Sequence, residues 1–147
     1  MIPNNDVELR IDFTEYIEPS KTYKIDLEKG IIKGKCDGLE AIKQAVYKAL
    51  NTERYDYLIY SWNYGSELSQ LFGKPLSYVY PEVRIRIEES LLNDDRVKSV
   101  ENFSYEKKKG TLLVEFTVVT TEGNFESEVK INVWRKNIWQ YSWWPFI

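Results

Sequence analysis

Carboxylates are the side chains in this chain whose type and spacing could carry chemistry. Two of them, held about 5–10 Å apart across a sugar groove, can hydrolyse a glycosidic bond. Asp94–Asp95, Glu88–Glu89 and the alternating pair Glu126 and Glu128 qualify by type. None sits in a recognisable cleft motif, and 23 acidic residues supply many chance pairs. A solvated surface accounts for most of them. Cys36, beside Lys35 and just ahead of a helix start, has a setting that can activate a thiol. With no histidine to partner it, a small buried residue at a helix entrance is the plainer reading. Lys107-Lys108-Lys109 could hold a phosphate, but a charged hairpin tip explains it as well.

Two absences narrow the field. The chain has no histidine, so the usual proton carrier near neutral pH and the commonest metal ligand are missing. A single cysteine can form neither an internal disulfide nor a cysteine zinc site. Ser-His-Asp, Cys-His and zinc-hydrolase mechanisms are thereby excluded, and no catalytic residue, metal or cofactor is expected. Lys plus Arg number 20 against 23 acids, a net charge of −3. The pI is about 5.2. Broad nucleic-acid binding, which needs excess positive charge, is not expected. No basic-then-apolar start marks a signal peptide, and no apolar stretch approaches the ~20 residues of a membrane helix. One cytoplasmically folded domain of 147 residues is the expectation.

The elements that would position any site read as follows. Residues 1–20 are polar and form an extended arm. Thr22–Ile25 and Ile31–Lys33 are short strands joined by a turn at Glu28-Lys29-Gly30. Asp37 starts a helix, and its spacing to Glu40 is that of a capping box. Leu39, Ile42, Val46, Ala49 and Leu50 give that helix an apolar stripe, and Asn51 ends it. Residues 52 to 68 are aromatic and poorly periodic, an irregular strand or extended loop, after which Ser66 could cap a short helix. A second helix should run from Tyr78 or Val79 to Leu92, with Pro81 in its first turn and Val79, Val83, Ile87 and Leu91 on one face. Arg96–Glu106, then Leu112–Val118, then Phe125–Val133 read as antiparallel strands, turning at Lys107–Gly110 and Glu122-Gly123-Asn124. The expected class is α+β: two main helices packed on an antiparallel sheet of about three strands, with extended terminal arms.

Aromatic residues make up 15% of the chain. Tyr55, Tyr57, Trp62 and Tyr64 form a possible binding surface, since Tyr and Trp bury much area at little entropic cost. Trp139, Tyr141, Trp143, Trp144 and Phe146 crowd the C-terminal run N-I-W-Q-Y-S-W-W-P-F-I. Exposed freely, that run would present an unusually large apolar patch, so it either folds back on its own domain or docks on a neighbouring subunit, the second being favoured. Only Arg135 and Lys136 could support membrane binding, and none is expected.

The block C-D-G-L-E-A-I-K-Q-A-V-Y-K-A-L-N-T-E-R-Y-D-Y-L-I-Y-S-W-N-Y-G-S-E-L, followed by the second helix, N-D-D-R-V-K-S-V and two strands, carries a family resemblance. It resembles small tail proteins of Gram-positive contractile-tail phages and PBSX-type defective prophages. These are similar to the small baseplate wedge protein of T-even-type phages known as the sheath initiator. The resemblance spans residues 31–133, leaving 1–30 as an arm with a short hairpin and 134–147 as a Trp-rich arm. It implies a non-enzymatic part of a phage tail or phage-tail-like bacteriocin, assembled in the host cytoplasm and incorporated in a six-fold baseplate. Its implied partners are baseplate wedge proteins and the sheath protein, with tube or hub proteins as further contacts. The wider family grips the wedge with a Glu-Pro-Arg motif after its second helix. The matching positions here are Asp94, Asp95 and Arg96, so arginine is kept and proline is lost. The resemblance implies that this corner anchors the wedge while sheet edges and an arm engage sheath or neighbours. The wider family has also carried a lysozyme label, which keeps a carboxylate murein hydrolase as an alternative, beside a free-standing protein-interaction module.

Overall fold

The computed structural model describes residues 20–133. The N-terminal arm and the residues Trp139, Tyr141, Trp143, Trp144 and Phe146 lie outside the described residues. The class is α+β, with two helices, a two-stranded sheet and a three-stranded sheet among the described residues.

Strands β1 (Thr22–Asp26) and β2 (Ile31–Cys36) pair as an antiparallel hairpin. Helix α1 (Gly38–Leu50) follows at once. Its cap is Asp37, whose carboxylate accepts from the Gly38 amide. Neither bond of the expected capping box is found, since Asp37 caps the Gly38 amide and not that of Glu40. Glu40 instead pairs with Lys24 of β1, because the hairpin lies along α1 and brings an ammonium to it. Ala41, Ile42, Val46 and Leu50 are buried on the inner face.

Helix α2 (Leu76–Leu91) begins earlier than the pattern predicts. Pro81 therefore sits in the second turn rather than the first. Its missing amide leaves the Ser77 carbonyl without a helical donor, tolerable because both residues face solvent. Val79, Val83, Ile87 and Leu91 are all buried, as the four-residue ladder predicts. Arg84–Glu88 and Glu82–Arg86 pair along the helix at a spacing of four residues.

Strands β3 (Val97–Lys108), β4 (Thr111–Thr120) and β5 (Gly123–Asn132) make the larger sheet, in the order β3-β4-β5. The first turn is tighter than expected. Lys108 pairs Thr111, and only Lys109 and Gly110 turn, both at positive φ. That is the mirror-image turn whose twist suits a hairpin. Strand β3 carries two irregularities in register, the second around Asn102, which is itself at φ 54. Strand β5 pairs β4 without interruption from Gly123 to Asn132. Leu112, Val114, Phe116 and Val118 of β4 are buried beneath the helices.

Ser66 does not cap a helix. It is buried and its hydroxyl donates to the Leu50 carbonyl, 3.0 Å away, at the end of α1. The short 3-10 turn Leu68–Leu71 starts after Glu67. Gly65 precedes this anchor at φ +96, and a Cβ there would lie 2.6 Å from the Thr52 carbonyl oxygen. Gly30 is also at positive φ, +62, but has nothing within 4 Å. Gly65→Ala should therefore cost well over the ~1 kcal/mol of backbone strain expected for Gly30→Ala. Thermal unfolding should show Tm falling by roughly 2–4 °C for Gly30→Ala and by at least twice that for Gly65→Ala.

Candidate functional site

Two regions singled out by sequence meet at one corner of the fold. The first is the aromatic loop. Its neck is closed by the backbone: the Arg54 amide donates to Ser66, and the Ser66 amide to Thr52. Arg54 crosses the neck, donating to the Gly65 carbonyl at 3.2 Å and pairing with Glu67 at 3.5 Å. Arg86 of α2 reaches the Glu67 carbonyl and ties the neck to the helix. The loop is thus pinned at its base while its tip projects. Tyr55, Tyr57 and Trp62 are exposed, as are Leu58 and Ile59. Tyr64 departs from the other candidates, being half-buried with its ring stacked on Tyr60 at 4.6 Å between centroids. Burial raises its hydroxyl pKa above the usual phenol value. Tyr55 holds φ 72, a strained conformation for a bulky residue.

The second region is the link from α2 to β3. The Asp94 carboxylate accepts from the Arg96 amide at 3.1 Å, and from its Nε and Nη2 at 2.8 and 2.6 Å. The Val97 amide closes on the Asp94 carbonyl, and the Arg96 carbonyl takes the Thr121 amide of the β4–β5 turn. Hydrogen bonds from one carboxylate thus rigidify a corner that has no proline at Asp95. Asp95 is exposed, and no side-chain hydrogen bond or ion pair is found for it among the described residues. Arg96 spends its Nε edge on Asp94 and keeps Nη1 as the part of its fork free of that pair.

Asn93 joins the two regions. Its side-chain amide donates to the Asn63 carbonyl of the loop at 2.9 Å and to the Glu89 carbonyl of α2. The sequence reading missed Asn93, Arg54 and the exposed pair Leu58 and Ile59. The uncharged run from Tyr57 to Ser66 was the available signal for a protruding apolar tip.

The carboxylate pairs are dispersed. Asp94 is engaged by Arg96, Glu88 by Arg84 and Glu128 by Lys130. Glu126 and Glu128 stand with Glu115 on the outer face of the three-stranded sheet, along an open concavity of about 560 Å³. Glu115 and Glu128 are direct cross-strand partners. Glu53, whose carboxyl is raised by burial, lies away from that concavity at the loop neck. Among the described residues no three acidic or cysteine side chains converge as a metal site. Cys36, the last residue of β2, is buried. Among the described residues no helix is long and apolar enough to cross a membrane.

Hydrogen bonds from Arg96 hold the Asp94 carboxyl below the usual carboxylate range, against the opposing effect of burial. A depressed carboxylate stabilises the fold above its unfolded pKa, and that contribution is lost as pH falls through the folded value. Asp94→Asn should therefore cost about 1 kcal/mol at neutral pH. The gap from wild type should stay constant down to about pH 5 and close below about pH 4. Urea unfolding at a series of pH values checks this; a gap that widens in acid would contradict it.

Comparison with known proteins places this arrangement. Residues 9–123 match the family described as contractile injection system sheath initiator. The chain is 46% identical over 119 residues to phage-like element PBSX protein XkdS of Bacillus subtilis strain 168, covering 78% of this chain and 84% of that protein. A crystal structure of a putative tail lysozyme from Geobacter sulfurreducens shares the fold, with TM-score 0.55 over 67% of this chain and 93% of that one. At 14% identity that likeness speaks to fold alone. The chain belongs to the contractile injection system sheath initiator family.

Proposed function

We propose that the chain is a baseplate component that holds the wedge through its Asp94–Arg96 corner and templates sheath assembly through an open sheet edge. As a family member it is a structural part of a contractile tail. The observation that carries the finer reading is the edge of β5. Gly123 pairs Thr120 across a two-residue turn, so every second residue from Gly123 bonds to β4. The amides and carbonyls of Asn124, Glu126, Glu128 and Lys130 point the other way. Among the described residues no strand lies beyond β5. Among the described residues the backbone contact found on that side is at its end, where Asn132 accepts from Gly73. The opposite edge, β3, is broken by its two irregularities and is a poor template. An incoming strand gains backbone hydrogen bonds from β5 with little demand on its own sequence.

At the corner, Arg96 offers Nη1 to a partner's carboxylate or carbonyl, and Asp95 stands beside it as an unpaired anion. The apolar loop tip adjoins the same corner and supplies area that the charged pair lacks. Six-fold repetition would multiply such contacts through effective concentration. A murein hydrolase would need one carboxyl held protonated across a groove from a second, and the outer-face glutamates are exposed on an open surface.

Two substitutions test the two halves separately. Arg96→Ala should cost the fold no more than about 1–2 kcal/mol and abolish capture by the purified wedge protein. Unchanged capture would sink the anchoring role. Glu128→Pro removes an outward-facing amide and leaves the β4–β5 ladder intact, so it should fold but fail to seed sheath. Electron microscopy of particles from a producing strain should show bare tubes with that variant or with the gene stopped early. Normal sheathed particles in the stopped strain would remove the templating role. Cell-wall turbidity should stay flat with the pure protein; clearing would favour the hydrolase.

A further inference from the structure

Helix α2 is apolar on two opposite faces. Val79, Val83, Ile87 and Leu91 are buried in the core. Tyr78, Ile85 and the C-cap Leu92 stand seven residues apart on the other side, 43, 48 and 50% exposed. Pro81 is exposed between the first two. Seven residues are close to two full turns, so the three side chains form one line about 21 Å long. A surface helix ordinarily turns charged and polar residues to solvent at this pole, and α2 turns apolar ones there instead. Glu82 and Glu88, beside the line, are already paired with Arg86 and Arg84.

The chain supplies an apolar segment beside the start of this line. Strand β5 ends where the Asn132 carbonyl accepts from the Gly73 amide, and α2 begins three residues after Gly73. The sequence continues beyond Val133 for fourteen residues, among them Ile138, Trp139, Tyr141, Trp143, Trp144 and Phe146. Their side-chain charges are confined to Arg135 and Lys136. At ~3.3 Å per residue, Trp139 can reach about 20 Å from Val133 and Trp143 about 33 Å. Along the helix, Ile85 lies about 10 Å beyond Tyr78 and Leu92 about 21 Å, so the segment is long enough to follow the whole line. Other surfaces suit it less. The outer face of the three-stranded sheet carries Glu115, Glu126 and Glu128. The outer edge of β1 is occupied by Gln44 of α1, which accepts from the Ile25 amide and donates to the Tyr23 carbonyl, each at 2.8 Å. The aromatic loop is tied by Asn93 to the far end of α2. A segment rooted beside the helix is held there at an effective concentration of millimolar order, which a second copy in dilute solution does not match. We propose that residues 138–146 pack along Tyr78, Ile85 and Leu92 of the same chain, so that α2 lies between the core and its own C-terminal segment. This uses neither the β5 edge nor the Asp94 corner, and its failure would leave the proposed function untouched.

The test uses the full chain carrying Trp62→Phe, so that emission reports only Trp134, Trp139, Trp143 and Trp144. At low micromolar concentration, where sedimentation velocity shows a monomer, emission should be blue-shifted and acrylamide quenching weak relative to the urea-unfolded chain. Ile85→Glu with Leu92→Glu, added to that chain, puts charge on the line. The pair should abolish most of the blue shift and of the protection, while the helix signal in far-ultraviolet dichroism stays. Should the glutamates disturb the helix, Ile85→Gln with Leu92→Gln replaces them. Native emission and quenching that match the urea-unfolded chain overturn the proposal. So does protection that survives the substitutions, which would put the segment on another surface. Protection that appears only as sedimentation shows association overturns it as well, because the segment would then sit on a second copy.

Discussion

Burial of one face of β4 is the constraint on which the rest of this structure depends. Leu112, Val114, Phe116 and Val118 point to the same side because side chains alternate along a strand, and α1 and α2 cover that side. A slip of one residue would expose all four, each worth about 1.5–3 kcal/mol on burial, so the register is firmly set. Once it is set, the positions of the outer-face glutamates and of the outward amides of β5 follow without further choice. The face that stabilises the fold is thereby kept apart from the edges available for assembly.

The helices and the β4–β5 hairpin were legible because their signals are periodic and amphipathic. Val79, Val83, Ile87 and Leu91 announce a helix face, and Phe125, Val129 and Ile131 a strand face, whatever else surrounds them. The loop between Thr52 and Leu68 was not legible in that way. Its form comes from single contacts: the Ser66 hydroxyl on Leu50, Arg54 across the neck, and Asn93 on Asn63. These join residues distant in sequence through polar atoms, and hydrophobic periodicity carries no trace of them. The capping box failed for a related reason. Asp37 and Glu40 have the right spacing, but Lys24 competes for Glu40 through a tertiary contact that a local motif cannot register.

The corner at Asp94–Arg96 was pointed to by the family resemblance and not by residue type. The resemblance marked the arginine and the acids beside it, and left open how a link without proline would hold its shape. The answer is a single carboxylate with three hydrogen bonds into the residue two positions on. That economy has a consequence. Proline fixes φ under all conditions, whereas this corner depends on Asp94 being ionised and Arg96 remaining in place. The same arginine that a partner would grip also organises the turn, so binding that drew Arg96 away from Asp94 would loosen the α2–β3 link.

Open edges and soluble folding are in conflict, because unpaired amides invite any extended chain. The edges of this fold meet that conflict by different means. β3 is interrupted by its irregularities, β5 places Glu126, Glu128 and Lys130 on its outer face, and β1 is covered by Gln44. These devices differ in reversibility. An interruption in register is permanent, and charges discourage partners lacking the complementary sign. A side-chain amide can be displaced by a strand that offers the same two hydrogen bonds together with more contact area. β1 is thus guarded by the weakest barrier, while β2 beside it carries an irregularity of its own at Gly34, which holds φ 80. The proposed templating role, which needs a fold that stays single until it meets its neighbours, is served better by this gradation than by edges that are uniformly sealed.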